Sequence, residues 1–166
     1  VKIEAAVVFR AAPDTVFAMM TDERYVTRKA EAMGALEHDV SVEVSADGAA
    51  TITLQRTLPA MVPDFVRPLV GDTIEVVQTE HWAAPAADGR RTGQLTAQIR
   101  NAPVRLAGSL LLEANGTTSS VHRVDVDVRA KVPFVGAKVE KAIGEVILLA
   151  ARKEEEVGGS WLTESG

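Results

Sequence analysis

Residues 123–150 read RVDVDVRAKVPFVGAKVEKAIGEVILLA, and the change of period inside this stretch decides the fold. Up to Val132 the period is two. Val124, Val126, Val128, Ala130 and Val132 share one parity, and Arg123, Asp125, Asp127, Arg129 and Lys131 share the other, the pattern of a half-buried strand. After Pro133 the spacing becomes three and four, through Val135, Val139, Ala142, Ile143, Val146, Ile147 and Ala150, with Lys138, Lys141, Glu145 and Arg152 off that stripe. One amphipathic helix is predicted, opened by Pro133 and closed by the Gly158–Gly159 pair. About 24 residues at 1.5 Å each give roughly 36 Å, against about 30 Å for a nine-residue strand. Helix and sheet are matched in length, and the helix covers the apolar face of the sheet.

Working back toward the amino terminus, the period of two persists for almost the whole middle of the chain. Leu36, Val40, Val42 and Val44 lead to an Asp47–Gly48 turn, and Ala50, Ile52 and Leu54 resume. Further strands run from about Thr73 to Trp82, through Leu95, Ala97 and Ile99, and from Val104 to Glu113, with turns at Ala83 to Arg91, around Pro85 and the Asp88–Gly89 pair, and at Asn115–Gly116. At the start, Ile3, Ala5, Val7 and Phe9 alternate with Lys2, Glu4 and Arg10 as a first strand. Pro13 and Asp14 then suit the first turn of a helix carrying Val16, Phe17 and Met20. Thr21 and Asp22 mark a break and a new N-cap, and a second short helix ends at Gly34. Leu58 to Gly71 is the exception: an apolar loop with Pro59, Pro63 and Pro68, too rich in proline for an inner strand.

The composition excludes several classes. The 166 residues carry 18 basic and 23 acidic side chains, a net charge of −5, with 46% apolar and 25% charged residues. A single domain spanning 1–166 is expected, long enough to fold without metal or disulfide. The absence of cysteine removes disulfides, thiol nucleophiles and thiolate metal sites. No basic cluster offers a nucleic-acid footprint. The longest apolar run, Val146 to Ala151, is far shorter than the roughly 20 residues a bilayer requires. With no apolar leader stretch, a cytoplasmic protein is the expectation; transient membrane contact and oligomeric state stay open. Alanine and valine supply 25 and 23 residues against seven aromatics, so the core is built from small and branched side chains and leaves space between helix and sheet.

Strand, two short helices, six antiparallel strands and a long final helix resembles the helix-grip fold of the START-like, or SRPBCC, superfamily across the whole chain. The segment Phe9 to Phe17, FRAAPDTVF, is similar to the phrase with which these proteins turn from first strand to first helix. The proline-rich loop around Pro63 and Pro68, the segment Gly93 to Leu112 and Trp161 resemble a family of small actinobacterial proteins of unknown function. Twelve arginines to six lysines agree with a GC-rich genome. The resemblance implies an α+β fold with a curved seven-stranded antiparallel sheet and a cavity beneath the final helix. Such cavities hold lipids, sterols, polyketides or other apolar molecules; some members are aromatases or cyclases, and others activate chaperones.

No local catalytic motif is present: no GxGxxG, no GxxxxGK[ST], no HExxH and no GxSxG. No cofactor is implied. His38, His81 and His122 are far apart in sequence, and solvated or hydrogen-bonded roles are preferred to a zinc site. By parity His38 points inward beside Val40, His81 points out, and His122 shares the side of Val124. Polar groups at inward parity are more informative. Arg56 follows Ile52 and Leu54; Gln78, Glu80 and Trp82 follow Ile74 and Val76. Such groups fray at strand ends, pair with one another or line a hydrated cavity. Asp125 and Asp127 read as an outer charge ladder, and Glu154 to Glu156 as a solvated helix end.

The leading expectation is a non-catalytic module that binds a small apolar or amphipathic, lipid-like molecule. Its polar contacts are His38, Arg56, Gln78, Glu80 and Trp82, and its apolar wall Leu95, Ile99, Val139 and Ile143. The loop from Leu58 to Val70 admits two readings: a satellite cluster packed on the sheet edge, or a gate in which Met61 and Phe65 close the entrance, held extended by the prolines and reaching the C-terminal half of the long helix. The alternatives are an enzyme of aromatase, cyclase or hydrolase type using His38, Arg56 or Glu80 for proton transfer, and a protein-interaction module working through the Phe65 loop or the outer sheet face.

Overall fold

Strand β1 (Lys2–Phe9) sends Val7 and Phe9 into the core and leaves Lys2, Glu4 and Val8 outside, as alternation demands. This is the first element in a computed structural model that describes residues 1–60 and 62–165. Helix α1 (Pro13–Met20) begins on its proline and buries Val16, Phe17, Met19 and Met20. Asp22 caps α2 (Glu23–Ala32) by accepting the backbone N–H of Arg24 at 2.9 Å. The chain leaves this helix through Gly34 at φ 83°.

Six strands follow: β2 (Glu37–Val44), β3 (Ala50–Pro59), β4 (Thr73–Trp82), β5 (Arg91–Ile99), β6 (Val104–Asn115) and β7 (Ser119–Ala130). They form an antiparallel meander, and β1 adds beyond β7, so the seven-stranded order is β1-β7-β6-β5-β4-β3-β2. Helices α1 and α2 therefore carry the chain from one edge of the sheet to the other. The α+β class and the order of elements agree with the sequence reading. In β7, Val126 and Val128 are buried while Arg123 and Arg129 face out, and Arg129 bonds Asp127 at 2.7 Å on the outer face.

The final helix α4 (Gly136–Ser165) packs on β1, β7 and α2, and it corrects the sequence reading at both ends. Pro133 does not open it; residues 133–135 form a turn in which Val135 N–H bonds the Pro133 carbonyl at 2.8 Å. Nor do Gly158 and Gly159 close it. Gly158 sits where a Cβ would lie 2.3 Å from Cε1 of Phe9, so it permits close approach to β1 rather than ending the helix. The 30 residues span about 45 Å, longer than any strand, and the last turns pack on α2 with Trp161 edge-on to Tyr25 at 5.7 Å.

The loop after β3 is also corrected. Leu58 and Pro59 belong to the strand, and the segment beyond Pro63 turns into the one-turn helix α3 (Arg67–Val70) instead of running extended. Its inward anchor is Val66, in one buried cluster with Leu58, Val76, Val128 and Val139. A second cluster, around Phe9, Phe17, Tyr25, Trp82 and Leu112, fills the opposite end. Because the strands are antiparallel, the β3–β4, β5–β6 and β7–α4 connections share one end of the sheet. The proline-rich loop therefore meets the amino-terminal half of α4, where Lys138 Nζ lies 5.7 Å from the Phe65 ring, and not the C-terminal half.

Candidate functional site: a cavity under the long helix

Between the sheet and α4 lies a cavity of about 210 Å³, far more than the roughly 10–15 Å³ that one water needs. Its sheet wall is Val76, Leu95, Ala97 and Ile99, and its helix wall is Val139, Ala142, Ile143 and Val146. Val62, Val66 and Val70 close one end from the loop that carries α3. The walls are apolar because strand and helix stripes meet there; small residues such as Ala97 and Ala142 leave the space open.

Polar side chains enter from two sides. On the sheet, Arg56 of β3 and Gln78 and Glu80 of β4 share the inward face and form a ladder. Arg56 Nη2 donates to Gln78 Oε1 at 3.2 Å, Gln78 Nε2 to Glu80 Oε2 at 3.2 Å, and Trp82 Nε1 to Glu80 Oε1 at 3.1 Å. Arg56 Nη1 is enclosed with no hydrogen-bond partner among the described residues. Burial lowers the Arg56 guanidinium to about 10, while the Glu80 charge acts in the opposite direction.

The second group joins three elements. Glu154 Oε1 of α4 lies 3.6 Å from Lys29 Nζ of α2 and 3.3 Å from His122 Nδ1 of β7. Burial alone would raise the Glu154 carboxyl, but Lys29 and His122 beside it prevail and hold it at about 2. The neighbouring Tyr25 hydroxyl is enclosed without a partner among the described residues. Burial, then the charges of Glu154 and Glu80, push that phenol above its ordinary range. The cavity thus has apolar walls and a polar side holding cations, carboxylates and an imidazole.

Of the residues singled out from sequence, Arg56, Gln78, Glu80, Leu95, Ile99, Val139 and Ile143 border the cavity. Three stand elsewhere. His38 keeps the parity expected of it, but no residue of edge strand β2 lines the cavity, and its Nε2 faces Glu31 Oε1 of α2 at 3.6 Å. Phe65 is 45% exposed because Val66, the next residue, takes the inward position. Trp82 lies buried at the end of the ladder, edge-on to Phe17 at 5.6 Å. Met61 lies outside the described residues. His81 points outward, as parity expects, with Nδ1 3.3 Å from Thr51 Oγ1.

Sequence reasoning missed Glu154, Lys29 and Tyr25 and undervalued His122. Glu154 is no solvated helix end: it continues the stripe of Ile147 and Ala151 inward, while Glu155 and Glu156 are exposed. Arg91, assigned to a turn by its sequence neighbours, starts β5 and stacks on Phe17 with its guanidinium carbon 3.8 Å from the ring centre. Among the described residues no cluster of three or more His, Asp or Glu is arranged to hold a metal, and no helix is long and apolar enough to cross a membrane.

A family model described as a protein of unknown function, DUF2505, matches residues 4–162. Uncharacterised proteins of Mycobacterium tuberculosis and Mycobacterium bovis are 27% identical over 118 residues, which cover 69% of this chain and 66% of theirs. Among solved structures, a Thermus thermophilus protein superposes with a TM-score of 0.67 at 14% identity, over 100% of both chains. A START superfamily protein from Mycobacterium smegmatis gives 0.57 at 18% identity, over 93% of this chain and 94% of that one. An aromatase/cyclase from Streptomyces gives 0.59 at 11% identity, over 95% and 90%. The fold is START-like.

Proposed function

From the premise that the chain belongs to the DUF2505 family, we propose that it binds a small apolar or amphipathic molecule between sheet and α4 without chemical turnover. The observation that carries this reading is the cavity itself: continuous apolar walls with a polar ladder on one side, the arrangement that recognises a ligand by shape and orients it by a few polar contacts. Leu95, Ile99, Val139 and Ile143 supply the wall, and Arg56, Gln78 and Glu80 the orienting groups. The loop carrying Val62 and Val66 forms the entrance. A cytoplasmic setting, without nucleic acid, goes with this reading.

The experiment is native mass spectrometry of protein purified from its own host, joined to titration with the neutral fluorescent probe N-phenyl-1-naphthylamine. Wild type retains an apolar ligand or binds the probe, and Ile143→Trp, which fills the cavity, abolishes binding. A protein that carries no ligand and binds no probe overturns the reading.

A second reading is a proton-transfer enzyme in the same cavity, favoured by His122 and Glu154 at 3.3 Å beside the enclosed Tyr25 hydroxyl. Arg56 and Glu80 keep a place in it; His38 does not. Turnover of an aromatic-forming poly-β-keto thioester that is lost in His122→Ala would favour it over simple binding.

A further inference from the structure

We propose that the cavity is built for an amphipathic acid, its carboxylate held by Arg56 Nη1 and its apolar tail lying between the sheet and α4. The inference rests on the binding reading above and names the class of ligand.

Arginine carries five N–H donors and no acceptor, so an enclosed guanidinium requires acceptors around it. Arg56 has one from its ladder: Gln78 Oε1 takes the bond from Nη2 at 3.2 Å. The enclosed Nη1 has none among the described residues, and Arg56 is one of the residues that line the cavity. Glu80 does not fill the need in this arrangement: its oxygens face Gln78 Nε2 and Trp82 Nε1, and among the described residues no bond joins it to Arg56. Among the described residues the cation is therefore compensated through an intervening amide. A ligand carboxylate placed against Nη1 would supply both the missing acceptor and the missing direct counter-charge, and charge-assisted bonds of this kind are shorter and stronger than neutral ones.

The same geometry selects among acids. One nitrogen of one guanidinium lacks an acceptor, and the Glu80 carboxylate stands one amide away, which disfavours a second negative charge on the ligand. A monocarboxylate fits better than a phosphate dianion. Beyond Arg56 the cavity is walled by Val76, Ile99, Val139 and Ile143, which accept an alkyl or ring tail.

The test is displacement of N-phenyl-1-naphthylamine by decanoate, decanol and decyl phosphate at neutral pH, with wild type and Arg56→Met, each checked by thermal melt. Wild type should bind decanoate about tenfold or more tighter than decanol, the scale of one charge-assisted contact. Arg56→Met should remove the preference, bringing decanoate down to the affinity that the same variant has for decanol. Equal affinity of wild type for decanoate and decanol overturns the proposal while the binding reading stands, and this comparison holds even if the variant does not fold. Tighter binding of decyl phosphate than of decanoate overturns it as well, as does a folded Arg56→Met that keeps its preference for the acid. Failure of wild type to bind the neutral probe or any of the three compounds overturns the binding reading itself.

Discussion

Arg56 and Trp82 stand at the two ends of one hydrogen-bond ladder as groups that donate and do not accept. Between them lie only Gln78, an amide that relays by accepting at one end and donating at the other, and Glu80. With a donor at each end and one relay, the remaining position must accept from both sides. An ionised carboxylate does this with one oxygen toward each donor, whereas an amide in the same place turns its N–H₂ group toward one of them. The identity of residue 80 follows from its neighbours, and so does the orientation of the Gln78 amide.

Glu80→Gln is therefore not conservative despite its shape. The new amide would set an N–H₂ group against Trp82 Nε1 or Gln78 Nε2, and turning Gln78 over would move the conflict to Arg56. One buried donor stays unsatisfied in every arrangement, a loss of roughly 1–3 kcal/mol. Urea denaturation should show the midpoint falling by that amount with an unchanged slope, and Trp82 fluorescence should shift with it. A neutral result would show that the ladder is bridged by water.

Much of this ladder is legible in the amino-acid sequence, because a period of two makes a polar residue at inward parity conspicuous between Leu54, Val76 and Leu95. Pairing among these residues is one of the outcomes expected of them. What parity cannot convey is position across the sheet. His38 obeys its parity and still misses the cavity, since only pairing order makes β2 an edge. Glu154 is obscured differently: its partners Lys29 and His122 come from elements far away in sequence, and a run of three glutamates before two glycines imitates a helix end. Intrinsic preference makes those glycines a terminus, whereas contact with Phe9 decides the place of Gly158. The end of α4 that the proline-rich loop meets follows from one further step, counting which connections an antiparallel meander brings together.

Glu154 predicts a pH dependence. Its carboxyl is held at about 2 in the folded protein against an ordinary 4.5, so the folded state binds that proton less readily than the unfolded state. The stability it contributes is complete above 4.5 and is lost as pH falls through about 2. The enclosed Tyr25 hydroxyl stays uncharged in this range, and protonation of Glu154 takes the counter-charge away from Lys29. Wild type should lose on the order of 1–3 kcal/mol from this site across that window. Glu154→Gln should be less stable at neutral pH and show a flatter acid limb, read from denaturation midpoints at a series of pH values. Parallel curves for the two proteins would remove Glu154 as the cause.

Phe65 and Val66 are adjacent and should respond in opposite ways. Phe65 is 45% exposed and Val66 2%, so the second anchors the loop in the cluster with Leu58 and Val139. Phe65→Ser should change stability by less than about 0.5 kcal/mol, as surface substitutions do. Val66→Ala removes two buried methyl groups and should cost roughly 1–3 kcal/mol. Comparable losses in both would mean that Phe65 is packed in solution.

Gly158 and Gly159, neighbours in the same helix, give the sharpest contrast. Both carry the ordinary penalty of glycine in a helix, about 0.5–1 kcal/mol relative to alanine. At Gly159 nothing lies within 4 Å of where a Cβ would stand, so Gly159→Ala should recover that amount and raise the denaturation midpoint. At Gly158 the same methyl would meet Cε1 of Phe9 at 2.3 Å, Cδ1 at 2.8 Å and Cε of Met19 at 3.3 Å. Met19 can yield because it is flexible, but the Phe9 ring is 1% exposed and has no free space to enter. Relief requires α4 to move away from β1, and such overpacking costs roughly 1–3 kcal/mol, more than the helix gains. Gly158→Ala should therefore lower the midpoint while Gly159→Ala raises it; a shift of both in the same direction would show that backbone preference, not the contact with Phe9, governs these two positions.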